Sequence, residues 1–218
     1  MRRLAWYGIT ALGNAPLLAA SALLIAAAMF LTVSTRRLSV AWLVVVMTGA
    51  AVVAATKVLY MGWGLGIASL DFTGLSGHTT LSVLVWPVAL SLLAGQTDTR
   101  MRVGAAGGFL LASGIAVSRL EVHAHSAAEV ILGGAFGLVL SGAFLLRHLR
   151  RLRDIVFPRW IAITLIIPFA IGFGHALPTE SVLAEVARTL SGHSRAYTRA
   201  DLHSADLPRS AGQETDRR

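Results

Sequence analysis

The chain contains no cysteine, which excludes disulfides, thiolate metal sites and cysteine nucleophiles. Charge is also scarce. Asp, Glu, Lys and Arg make up 14% of the 218 residues, hydrophobic residues make up 55%, and the mean hydropathy is +0.68. Ordinary soluble domains carry about 25% charged residues, so this composition points to an integral membrane protein. Lysine is scarcer still: Lys57 stands alone among arginines. The formal net charge of +8 invites a nucleic-acid reading, but no basic, aromatic-interleaved soluble segment exists to carry it. From Pro178 onward Arg188, Arg195, Arg199, Arg209, Arg217 and Arg218 are balanced by Glu180, Glu185, Asp201, Asp206, Glu214 and Asp216. The basic excess therefore belongs to the apolar body, where arginines on the cytoplasmic side are the norm.

What is present is a series of apolar runs separated by polar breaks. Arg2 and Arg3 precede a run from about Ala15 to Val33. More apolar segments follow it directly, so it reads as a first transmembrane helix and not as a signal peptide. Further spans are predicted over Val40–Thr56, Thr79–Gly95 with Pro87 tolerated inside it, Val103–Val117, Ala127–Leu146 and Trp160–Leu177. Lys57–Gly77 reads as a glycine-rich loop. The glycines of the fourth and fifth spans suit close helix packing. The expectation is thus an all-α, polytopic membrane bundle of about six transmembrane helices over residues 1–177. A polar tail follows over 178–218, with one short helix at Ser181–Leu190 and a disordered far end.

Six spans put alternate connections on opposite sides. Arg36, Arg37, Arg100, Arg102, Arg147, Arg150, Arg151, Arg153 and Arg159 all fall in the first, third and fifth connections, which the positive-inside rule assigns to the cytoplasm. Arg2 and Arg3 run against this assignment. The loop Lys57–His78 and the segment Ser118–Glu129 then share the outer face.

That last segment, Ser-Arg-Leu-Glu-Val-His-Ala-His-Ser-Ala-Ala-Glu, gathers an arginine, two histidines and a carboxylate at one membrane edge, where such groups are costly unless used or solvated. A helix starting near Ser126 sets His125 at its mouth and Glu129 one turn on, on the same face. Free N–H groups at a helix N-terminus favour an anion such as phosphate, and Arg119 adds a bidentate clamp. Lys57 taken alone reads equally as a snorkelling anchor. Ser76-Gly77-His78 is unspecific, since Ser191-Gly192-His193 repeats it in the tail. No compact carboxylate–histidine set at metal-ligand spacing is present, so no metal is expected.

Taken together and in order, these residues resemble the type 2 phosphatidic acid phosphatases, a family that shares a fold core with vanadium-dependent haloperoxidases. Its signatures are K-x6-R-P, P-S-G-H and S-R-x5-H-x3-D. Ser118-Arg119, His125 and Glu129 match the third, with glutamate in place of aspartate. Leu75-Ser76-Gly77-His78 matches the second with leucine for proline. Lys57 opens the first, but Gly64 and Leu65 stand where arginine and proline belong. The resemblance covers about Val40–Leu146. It implies that His125 is the nucleophile forming a phosphohistidine, that Glu129 orients it and that His78 is the general acid. Lys57, Ser76, the Gly77 N–H and Arg119 would bind the phosphate oxygens. His123 falls outside the pattern. Neither metal nor cofactor is implied.

The implied activity is a lipid phosphate or lipid pyrophosphate phosphatase at the outer face of a bacterial inner membrane. Its partners would be the bilayer and a lipid phosphate substrate, with no nucleic acid. The alternative is a non-catalytic membrane scaffold or lipid-binding relative of the same fold. Trp63 and the backbone around Gly62, Gly64 and Gly66 are candidates to replace the missing arginine.

Overall fold

The computed structural model describes residues 2–95, 97–155 and 179–204. They form eight helices: α1 (Arg2–Ala11), α2 (Ala15–Leu31), α3 (Arg36–Trp63), α4 (Gly77–Ala94), α5 (Asp98–Glu121), α6 (Ala127–Leu152), α7 (Thr179–Ser191) and α8 (Arg199–Ser204). Short 3-10 turns lie at Val33–Thr35 and Ala68–Leu70. The described residues hold no strand, only an isolated bridge between Ile67 and Phe72. Four helical segments are long and apolar enough to cross a membrane: Val33–Trp63, Gly77–Ala94, Asp98–Glu121 and Ala127–Leu152. α2 is apolar but has 17 residues, at the short end for a span. The described residues thus form an all-helical bundle whose long apolar helices are those of a membrane protein. The expected span at Trp160–Leu177 and the far end of the tail lie outside the described residues.

Local chemistry sets the boundaries, and several differ from expectation. The second span is much longer than Val40–Thr56. Val58, Leu59, Tyr60 and Met61 continue the apolar pattern, and α3 stops only at Gly64, whose left-handed φ of 69° provides the C-cap. Lys57 therefore sits inside a helix and not in a loop. α5, expected short, runs to 24 residues, started by the Thr97 side chain capping the Arg100 N–H. α6 continues beyond Leu146 to Leu152 and ends on Arg150 and Arg151, which favour its negative dipole end. α1 was not expected. It is separated from α2 by the turn at Gly13-Asn14, and Pro16 lies in the first turn of α2. In the tail, α7 matches the expected helix within two residues at each end.

α4 is the hub. Two thirds of its apolar window (67%) is buried, against 22% for α5, and it packs on α2, α3, α5 and α6. The glycines permit this. A Cβ on Gly104 would meet the Leu90 carbonyl at 2.3 Å, and one on Gly108 the Pro87 backbone at 2.4 Å. A Cβ on Gly133 or Gly137 would meet Thr80 atoms at 2.8 Å. Ser39 donates to the Ala26 carbonyl and Trp42 Nε1 to the Ala22 carbonyl, locking α2 antiparallel to α3. Val40, Val44, Met47, Val103, Leu110, Ile131, Val139 and Leu146 remain exposed, the outward apolar surface expected of helices facing lipid. Short connections make α2 to α6 alternate in direction. The loops 64–76 and 122–126 and the α1–α2 turn thus meet at one end of the bundle, which carries the site.

Candidate functional site

α6 begins where the sequence said it should. The Ser126 hydroxyl accepts from the Glu129 N–H, and the Glu129 carboxylate accepts from the Ser126 N–H, closing a capping box. This fixes Glu129 in the first turn with its side chain fully buried. His125 Nδ1 lies 2.6 Å from Glu129 Oε2, with the ring side chain 6% exposed. Thr73 donates to Oε1 through both its N–H, at 2.8 Å, and its hydroxyl, at 2.6 Å. Arg199 Nη2 donates to Oε2 at 2.7 Å. A carboxylate is an acceptor, so Nδ1–H donates and Nε2 carries the imidazole lone pair.

The loop before α4 is stitched onto this pair. The Ser76 N–H donates to the Glu129 carbonyl at 3.1 Å, and Thr80 Oγ1 donates to the Gly133 carbonyl at 3.1 Å. Ser76 is the N-cap of α4, accepting from the Thr79 N–H and from its hydroxyl at 3.0 Å. Its hydroxyl is buried and engaged with Thr79. Gly77 opens α4, where N–H groups lack intrahelical acceptors, and His78 follows it, half-buried. Gly74, at φ 143°, lies against Lys57; a Cβ there would approach the Lys57 backbone N at 3.1 Å. The Thr56 hydroxyl accepts from the Leu75 N–H.

The cations gather on the other side. Arg119 and Lys57 lie near enough to His78 for their charges to act on it, and the His125 ring lies on the same side. Arg119 Nη1 donates to Thr10 Oγ1 at 3.0 Å, while its Nε is buried without a hydrogen-bond partner. Lys57 Nζ donates to Glu180 Oε1 at 3.0 Å. The Lys57 charge holds Glu180 below the usual carboxylate range, helped by His125 and Arg119 and opposed by partial burial. Burial pushes the His125 imidazole below its ordinary value of 6.5; Lys57 and Arg119 act the same way, against its hydrogen bond to Glu129.

The structure thus brings together Lys57, Ser76, Gly77, His78, Arg119, His125 and Glu129. His123 stands apart, exposed at a left-handed φ of 54°. The glycines offered as a substitute anion cradle do not form one. Gly64 packs on the Tyr197 ring, Gly62 on Ala187, and Gly66 against Leu202 and Phe72. The Gly64 and Gly66 N–H groups donate to the Tyr60 and Gly64 carbonyls. Trp63 is exposed. Among the described residues no three His, Asp or Glu side chains are grouped to hold a metal.

Sequence reasoning missed Thr10, Thr73, Glu180 and Arg199. Thr10 and Thr73 lay on segments where no motif drew attention to them. Glu180 and Arg199 lie in the tail, 123 and 70 residues from their partners, beyond any local periodicity. The one usable signal was Thr198-x-x-Asp201, a helix-start pattern: Asp201 accepts from the Thr198 N–H and hydroxyl. The tail Ser-Gly-His is a pin, His193 Nδ1 lying 2.7 Å from the Gly62 carbonyl.

The chain is similar to an uncharacterized 22.5 kDa protein in a cps region of Klebsiella pneumoniae. The two are 35% identical over 203 residues, 91% of this chain and 97% of that protein. The chain belongs to that protein's family. The match runs over nearly the whole of both chains, so family membership is not confined to the membrane body. No family model matches the chain, and no solved structure matches it.

Proposed function

We infer that the protein is a metal-independent lipid phosphate or lipid pyrophosphate phosphatase, with about six spans and its site at the outer face of a bacterial inner membrane. One observation carries the reading: a buried His125–Glu129 pair at a helix mouth, beside Lys57, Arg119 and His78. Glu129 holds Nδ1–H, so Nε2 attacks phosphorus while the bond to the leaving oxygen breaks. His78 donates the proton that oxygen needs. Water then attacks the phosphohistidine, giving a proton back to His78 as the Nε2–P bond breaks, which releases phosphate and restores both imidazoles. Lys57, Arg119 and the N–H groups at the start of α4 balance charge on the equatorial oxygens. The Glu180 carboxylate on Lys57 supports this, since an anion already rests on the lysine assigned to phosphate. A site at the membrane edge suits a polar headgroup whose tail stays in lipid.

The missing arginine of the first signature favours a second reading, a non-catalytic scaffold or lipid-binding relative. Phosphate release by purified protein in detergent from a panel of phosphatidate-like, polyprenyl pyrophosphate and lipid A-type substrates separates the two. Turnover that survives chelator supports the histidine mechanism. Turnover only with added metal rejects it, and none across the panel leaves the scaffold.

A further inference from the structure

The tail is not outside the site. Tyr197 N–H donates to the Met61 carbonyl at 2.8 Å, and Tyr60 Oη donates to the Thr198 carbonyl at 2.6 Å. These two bonds pin the start of α8 to the end of α3 and aim Arg199, its next residue, inward. There the guanidinium forks. Nη2 donates to Glu129 Oε2 and reaches Thr73 Oγ1 at 3.4 Å, while Nη1 donates to the Asp71 carbonyl at 2.9 Å and to its carboxylate. Asp71, left-handed at φ 47°, is held in turn by His203 Nε2 at 3.0 Å.

We propose that Arg199 is a positioning residue for His125: clamped between Asp71 and Glu129, it fixes the carboxylate that orients the nucleophilic imidazole. The inference rests on the phosphatase reading for its catalytic consequence only. A glutamate is one methylene longer than the aspartate of the resembled family and has one more torsion to restrain. Thr73 restrains Oε1, and Arg199 supplies the matching restraint on Oε2. The fork is specific to arginine, because an ammonium cannot span two acceptors in a fixed plane.

The test uses the full chain in detergent with 15N-labelled histidine, His125 being assigned by difference from His125→Gln. In the unaltered protein His125 is expected to show one tautomer, protonated at Nδ1. Arg199→Ala is expected to give a mixture of tautomers and to lower kcat on the order of 10–100-fold, the range for lost orienting partners, with KM nearly unchanged. Arg199→Lys is expected to recover part of both. Asp71→Asn, which loosens the far anchor without touching Glu129, gives a smaller change of the same kind and serves if Arg199→Ala does not fold. A single Nδ1–H tautomer in Arg199→Ala overturns the proposal, whatever happens to kcat. If the unaltered protein hydrolyses no lipid phosphate and the tautomer still shifts, the phosphatase reading fails and the positioning role stands.

Discussion

The two halves of the site differ in how fully their polar groups are used. On the acidic side, Glu129 accepts from Thr73 twice, from Ser126, from His125 and from Arg199, and its side chain is wholly buried. On the basic side, Arg119 Nε is buried with no partner, and the Lys57 partner is a carboxylate whose side chain is 73% exposed. A buried charge without full pairing is costly; the acidic half is fully paired, while the basic half keeps one buried donor, Arg119 Nε, without a partner. On the proposed phosphatase reading, this asymmetry would separate residues that set the rate from residues that set affinity.

The largest effect falls where the halves join. His125→Gln is expected to lower lipid phosphate release on the order of 10³-fold or more, as removing a nucleophile does; undiminished release would sink the mechanism. Glu129→Gln follows, on the order of 10²-fold, because an amide carries N–H groups toward donors already in place. Glu129→Asp keeps the charge but withdraws it by about one bond from Thr73, His125 and Arg199. About tenfold is expected, misplacement of roughly 1 Å costing up to about 10². In all three the loss lies in kcat. If it lies in KM alone, the acidic half is not the rate-setting half.

The pH dependence tests the same division. Burial, then Lys57 and Arg119, hold the folded-state pKa of His125 below 6.5. On the proposed mechanism the neutral imidazole is the nucleophile, so the acid limb of kcat/KM is expected below pH 6.5. Stability has the same sign, since the unfolded chain takes up the proton first: the contribution is present above 6.5 and is lost as pH falls from there through the folded pKa. For Glu180, depressed chiefly by the Lys57 charge, the contribution is present above its ordinary 4.5 and is lost as pH falls through the lower folded value. An acid limb at or above pH 6.5 in the rate profile contradicts the burial argument.

The residues at local helix spacing were legible in both halves, and the partners supplied by distant segments were not, for a physical reason. Ser126 and Glu129 are three residues apart, and His125 and Glu129 four, spacings that a helix start converts directly into contact. Gly104 and Gly108 likewise mark a helix contact by their spacing. Lys57 was misplaced because a polar residue near the end of an apolar run looks like a boundary, whereas a snorkelling side chain lets α3 continue for six more residues. Glu180 and Arg199 were invisible because their partners are set by how the tail docks, through Tyr60, Met61 and Gly62.

The smallest effect probes the basic half alone. Glu180 pairs with Lys57 at 3.0 Å through a largely exposed carboxylate, and exposed pairs contribute about 0.2–1 kcal/mol. An incoming anion must displace that carboxylate. Glu180→Gln removes the competing charge without adding bulk, so vanadate, a phosphate analogue able to become five-coordinate, is expected to inhibit competitively and about two- to fivefold more tightly than with the unaltered protein. kcat should stay near its original value, because the acidic half is untouched. The inhibition constant from steady-state kinetics in parallel on both proteins decides it. Weaker vanadate binding in the variant means that Glu180 belongs to the anion site as a working part, through a shared proton, and that Lys57 is not waiting for an anion to replace it.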